Sequence, residues 1–105
     1  MNSMNASELS ALDTERVTLL DIRSREEFEL RGIAGAVNVP FGEISTGLSK
    51  LPKDKPVYVL CRTGDLSAEV AEILEDRGYE AYNIEGGYAA YIAFIASGGE
   101  LPAAK

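Results

Sequence analysis

The sequence predicts an α/β fold: a central parallel sheet of four to five strands, flanked by helices on both faces. Three observations predict it. Short apolar, β-branched runs alternate along the chain with segments of helical period, and strands separated by helices pair in parallel. The strand candidates are apolar on consecutive residues, as buried strands are. The length, 105 residues, fits one domain with one core, set at about residues 8–97 between short flexible tails.

The elements follow in order. A short polar lead ends in residues 7–12, which predict one or two helical turns. Residues 17–22 (VTLLDI) are a buried strand. Residues 24–30 (SREEFEL) read as a short helix, with Ser24 as N-cap and Glu27 completing a capping box. Residues 33–39 (IAGAVNV) form a second short strand ended by Pro40, and residues 42–51 a short helix closed by Pro52. Residues 56–61 (PVYVLC) are the clearest strand, and residues 66–77 the clearest helix. Leu66, Val70, Ile73 and Leu74 share one face of it, and Gly78 supplies the left-handed C-cap. Residues 79–84 are the next strand, and Gly86-Gly87 the turn after it. Residues 88–97 form a final helix ended by Gly98-Gly99, and the segment from Pro102 is a loose tail. The run 88–96 is apolar nearly all round, which predicts a well-buried helix, with a contact surface as the alternative.

Composition narrows the function. Apolar residues are 46% and charged residues 26% of the chain, which excludes a wholly disordered protein. Ten basic against seventeen acidic residues give a net charge of -7, which argues against nucleic acid and against an anionic membrane surface as partners. There is no histidine, so a Ser-His-Asp triad, a Cys-His pair and every His-ligated zinc site are excluded. The one cysteine, Cys61, excludes an internal disulfide and a four-cysteine zinc site. The amino terminus has neither the basic start nor the apolar stretch of a signal peptide. No apolar run approaches the roughly 20 residues that span a bilayer. A soluble cytoplasmic protein with a reduced thiol is the expectation.

Chemistry therefore centres on Cys61. In open parallel α/β sheets, ligands bind beyond the carboxyl ends of the strands. Cys61 ends the best strand, and the best helix starts near Leu66. This places the sulfur below a helix amino end, among free backbone N–H groups that form an anion site. The same field favours thiolate over thiol. Arg62 adds a positive charge, and Gly64 lets the loop turn tightly. The bland alternative is that a lone cysteine at a strand end is a small buried apolar residue.

The chain resembles the rhodanese homology domain, of the single-domain thiosulfate sulfurtransferase type, over about residues 8–91. Leu20-Asp-Ile-Arg23 is similar to the family's Leu-Asp-Val-Arg segment, and Arg31-Gly-Ile-Ala-Gly-Ala-Val-Asn-Val-Pro40 to its Gly-His-Ile-Pro-Gly-Ala-x-Asn-Ile-Pro. Pro56-Val-Tyr-Val-Leu-Cys-Arg-Thr-Gly-Asp-Leu-Ser67 resembles the active-site strand and loop, and Gly78-Tyr79 and Glu85-Gly-Gly87 the later landmarks. The resemblance implies a rhodanese-like fold and a sulfurtransferase. Cys61 is then the nucleophile that takes a sulfane sulfur from a small donor such as thiosulfate. It passes the sulfur as a persulfide to cyanide, a thiol or a protein sulfur carrier. The loop of Arg62, Thr63, Gly64, Asp65, Leu66 and Ser67 would bind the sulfur anion through its amides. No cofactor and no metal is implied. A preformed thiolate needs no histidine base.

This chain departs from the family pattern Cys-Arg-x-Gly-x-Arg-Ser. Asp65 fills the variable slot and Leu66 replaces the second arginine, which predicts weak thiosulfate turnover. Alternatively Asp65 caps the helix and points away from the sulfur. Arg31-Gly-Ile-Ala34 and Tyr91 replace the family's Gly-His-Ile-Pro and late tryptophan, and read as structural changes. Asp21 and Arg23 are assigned a supporting role, holding loops through charged hydrogen bonds, with lining the site as the alternative. A dual-specificity phosphatase would need Cys-x5-Arg, but Ser67 stands at the arginine position. A nucleotide-binding domain would need Gly-x-Gly-x-x-Gly after the first strand, where the chain has Asp-Ile-Arg-Ser. A rhodanese-like interaction, regulatory or sulfur-carrier module with weak catalysis remains the non-enzyme rival.

Overall fold

The computed structural model describes residues 2–98. Its strands are β1 (Asn2–Asn5), β2 (Thr18–Asp21), β3 (Val37–Asn38), β4 (Val57–Leu60) and β5 (Ala81–Glu85). Its α-helices are α1 (Arg25–Arg31), α2 (Ile44–Gly47), α3 (Asp65–Asp76) and α4 (Gly87–Ala96), joined by 3-10 segments at Ala6–Ala11, Phe41–Glu43 and Leu48–Lys50. The strands form one five-stranded sheet in the order β1-β5-β4-β2-β3, and every pair is parallel. This is the α/β architecture the alternating pattern predicts.

Side-chain alternation along the central strands feeds two cores. Leu20, Ile22, Val57, Val59 and Cys61 pack with Val70, Ala71 and Leu74 of α3. Leu19, Leu60 and Ile84 pack on the other side with Ala6, Leu9 and Tyr91. Burying an aliphatic side chain such as Val70 or Leu74 contributes about 1.5–3 kcal/mol, so α3 is held mainly by this stripe. At α1, the Ser24 hydroxyl accepts from the Glu27 amide at 3.1 Å, the expected N-cap. The Glu27 carboxylate returns to the Ser24 hydroxyl at 3.2 Å, not to the Ser24 backbone amide.

Several expectations need correction. Residues 2–5, read as a polar lead outside the core, form edge strand β1 in register with β5, with Met4 opposite Ile84. The strand at 33–39 contracts to Val37–Asn38, because Gly35 adopts a left-handed turn at φ 84°. The helix at 42–51 breaks into the short pieces between Phe41 and Lys50. Cys61 lies one residue beyond β4. Leu66 does not join the buried face of α3: it is 45% exposed, and Ser67 and Ala71 complete that face instead. Helix α4 is not well buried. Only Gly87 and Tyr91 are enclosed, and Ile92 is exposed, since an outer-layer helix covers the sheet along one stripe only. Gly99 and the tail from Pro102 lie outside the described residues. Among the described residues no helix is long and apolar enough to cross a membrane.

Candidate active site

The loop after β4 is shaped from both sides. Gly64 is the N-cap of α3 and takes φ 97°, a left-handed conformation that a side chain would strain. The start of α4 holds the other side. The Tyr88 amide donates to the Cys61 carbonyl at 2.8 Å, and the Ala89 amide to the Arg62 carbonyl at 3.0 Å. These are the free amides of a helix first turn. Gly87 makes the approach possible, because a Cβ there would lie 2.4 Å from the Cys61 oxygen. Gly86-Gly87, expected to be a simple turn, thus docks α4 onto the cysteine loop.

With those carbonyls turned toward α4, loop amides face the sulfur. Cys61 Sγ accepts from the Gly64 amide at 3.0 Å and the Ser67 amide at 3.4 Å. It also lies 3.2 Å from the Ser67 hydroxyl, which donates to Asn83 Oδ1 at 2.5 Å. Burial pushes the thiol pKa up, as the largest single effect. The hydrogen bond with the Ser67 hydroxyl and those from the Ser67, Gly64 and Thr63 amides together outweigh it, so the thiol sits below its ordinary value. The bland reading, an inert apolar cysteine, predicts the opposite direction.

The loop residues separate into distinct places. A cavity of about 560 Å³ opens at Cys61 and is lined by Arg62, Thr63 and Leu66 from this loop. Gly64 and Ser67 are buried against the sulfur itself. Asp65 does neither. It is the first residue of α3, makes no capping hydrogen bond, and its carboxylate accepts from the Thr63 hydroxyl at 3.4 Å. The Arg62 guanidinium is turned to Glu27 at 2.8 Å, which holds the Glu27 carboxyl below the usual range.

Sequence reasoning missed the opposite wall of the cavity, formed by Ile22, Ser24, Glu27, Pro40, Phe41 and Gly42. The available signal was position, since Ser24 and Pro40 follow the carboxyl ends of β2 and β3. Asn83 carried no signal, because its role depends on sheet pairing with Val59 on β4.

Asp21 and Arg23 form a buried clamp beside the cavity. Arg23 meets Asp21 with Nη2 at 2.7 Å and Nε at 3.1 Å, and its Nη2 also donates to the Arg31 carbonyl at 3.0 Å. Its guanidinium lies 3.9 Å from the Tyr88 ring centre, a cation–π contact that reaches α4. Asn38 Nδ2 closes the knot on the Asp21 and Arg23 carbonyls, at 2.9 and 3.1 Å. Arg23 also lines the cavity, so the holding and lining positions coincide. Among the described residues, no group of three or more Cys, Asp or Glu side chains is gathered to hold a metal ion.

Fold and site together define a class: parallel α/β domains that set a cysteine, cradled by backbone amides, beneath the amino end of a helix. A model of the rhodanese-like domain matches residues 5–94, and the chain belongs to that family. It is 34% identical over 94 residues to a protein named sulfurtransferase from Allochromatium vinosum, covering 87% of this chain and 88% of that one. It is 36% identical over 75 residues to a tRNA sulfurtransferase from Desulfurococcus amylolyticus, where the match spans 71% of this chain but only 15% of the relative's length. Among solved structures, a rhodanese-related protein from Thermoplasma volcanium superposes with a TM-score of 0.82 at 30% identity, covering 96% of this chain and 97% of that one.

Proposed function

We propose that this protein is a sulfurtransferase that carries a sulfane sulfur on Cys61. The observation that carries the reading is the sulfur itself, held by the Gly64 and Ser67 amides at the mouth of an open cavity. The Cys61 thiolate attacks the outer sulfur of a donor such as thiosulfate. A new S–S bond forms as the old one breaks, and sulfite leaves with the bonding electron pair. The loop amides hold the persulfide anion that results. An acceptor (cyanide in the assay, a thiol or a protein sulfur carrier otherwise) then attacks the outer sulfur, and the Cys61 thiolate returns as leaving group. The sulfurtransferase names of two relatives support the reaction class. A reduced thiol suits the cytoplasm. Arg62, Thr63 and Leu66 are the residues a bound donor touches; Gly64 and Ser67 hold the sulfur; Asp21 and Arg23 keep the loops in place.

Intact mass of the reduced protein after thiosulfate, and then after cyanide, tests this. The expected result is a gain of one sulfur atom that cyanide removes and that Cys61→Ser abolishes. If neither thiosulfate nor an organic persulfide adds sulfur, the protein is a non-catalytic member of its family.

A further inference from the structure

Cys61, Ser67 and Asn83 form a buried line of polar groups, with 5%, 0% and 7% exposure. Asn83 sits inside β5, opposite Val59 of β4. Asparagine is depleted in strands, where apolar and β-branched residues pack better. A buried amide at this place therefore asks for a reason.

The reason lies in a proton count. The Ser67 hydroxyl has one proton and two neighbours able to accept it: Asn83 Oδ1 at 2.5 Å and Cys61 Sγ at 3.2 Å. In the thiol state the chain is directional. Cys61 S–H donates to Ser67 Oγ, and Ser67 O–H donates to Asn83 Oδ1. A thiolate has no proton to give and needs donors. Ser67 can serve it only by withdrawing its proton from Asn83. The carboxamide can follow, because half a turn about its last bond replaces Oδ1 with Nδ2, a donor to Ser67 Oγ.

We propose that Asn83 is a positioning residue for Cys61, acting through the Ser67 hydroxyl to offer the sulfur either an acceptor or a donor. Loss of the thiol proton to water in the cavity reverses the line, so that Asn83 Nδ2–H donates to Ser67 and Ser67 O–H donates to the sulfur. An amide can do both by turning, having one accepting and one donating end. Several elements packed about this site carry charged groups, of which Asp65 and Glu85 do not line the cavity. Arg23 follows β2, Glu27 lies on α1, and Arg62 is on the cysteine loop, all lining the cavity. Asp65 begins α3, and Glu85 ends β5. Arg23 and Arg62 are paired with Asp21 and Glu27, which leaves the neutral line through Ser67 as the sulfur's adjustable partner.

This inference rests on Cys61 being the reacting group, yet its test needs no sulfur donor. Cys61 is the one cysteine of the chain, so iodoacetamide alkylation followed by mass against pH reads its thiolate directly. In Asn83→Asp an ionised carboxylate only accepts and pins the Ser67 proton away from the sulfur. The thiol pKa should rise by about one unit, slowing alkylation at neutral pH roughly tenfold. In Asn83→Ala the hydroxyl can still turn to the sulfur but loses the Nδ2–H that backs it, so alkylation at neutral pH should slow, though less than in Asn83→Asp. Asn83→Ala also keeps the test readable if the aspartate variant does not fold. Adding Ser67→Ala should erase both changes, because the path runs through that hydroxyl. Alkylation profiles unchanged in folded Asn83 variants would overturn the proposal, as would shifts that persist in full without the Ser67 hydroxyl. Failure of sulfur loading with the alkylation shifts intact would sink the proposed reaction and leave the relay standing.

Discussion

Leu66 stands at the lip of the cavity, 45% exposed, where the family pattern carries an arginine. A cation there would face an incoming anion across partly screened solvent, an effect on the order of 1 kcal/mol, or about fivefold. Leu66→Arg should therefore raise kcat/KM for thiosulfate several-fold in a cyanide-coupled assay. Asp65→Asn should help less, because Asp65 does not line the cavity and its carboxylate is engaged by Thr63. Equal gains at the two positions, or none, would refute this reading of the departures. The sulfur has its own signature. Its folded pKa is lowered from the ordinary thiol value by the hydrogen bonds of the loop. A depressed pKa adds stability that is complete above the unfolded value and is lost as pH falls through the folded one. The stability of the wild type relative to Cys61→Ser should thus rise with pH across that interval. Urea unfolding at several pH values measures it, and a flat difference would contradict the amide cradle.

At the scale of elements, the clamp of Asp21 and Arg23 ties the end of β2 to the end of α1 and to Tyr88 on α4. Both side chains are nearly sealed, Asp21 at 0% and Arg23 at 4% exposure. Removing one partner leaves a buried charge uncompensated, at a cost of about 3–5 kcal/mol. Asp21→Ala should lower unfolding free energy in urea by that amount. Glu43→Ala should change it by less than about 1 kcal/mol, since the Arg25–Glu43 pair is solvent-exposed. Similar losses in the two variants would deny the clamp its role. The same scale separates what the sequence reveals from what it hides. Strand β4, helix α3 and the Cys61 loop between them were legible, because apolar period, glycine and position all act locally. Strand β1 was not, because Asn2–Asn5 is held by its ladder with β5, and Met4 packs toward a core with little apolar company in sequence. The docking of Gly87 and the line from Asn83 to Cys61 were hidden too. Each joins residues more than ten positions apart through backbone or hydroxyl contacts that no residue pattern announces.

The whole molecule carries a net charge of -7, so the anionic donor proposed above would approach against its field. The cations nearest the sulfur do little to reverse this, because Arg23 and Arg62 are each paired with a carboxylate at 2.7 and 2.8 Å. What attracts an anion at close range is the ring of amides, and such dipoles act over one turn of helix only. Raising ionic strength from 0.01 to 0.15 M shortens the screening length from about 30 Å to about 8 Å. The long-range repulsion is then removed while the short-range cradle is kept. Loading of Cys61 by thiosulfate should therefore quicken several-fold over this range, as followed by mass. Alkylation by neutral iodoacetamide, measured in parallel, corrects for any change in thiolate fraction. Loading that slows with salt after this correction would mean that Arg62 leaves Glu27 and meets the donor. Glu27→Gln should then make that dependence steeper, since it removes the carboxylate that now neutralises the guanidinium.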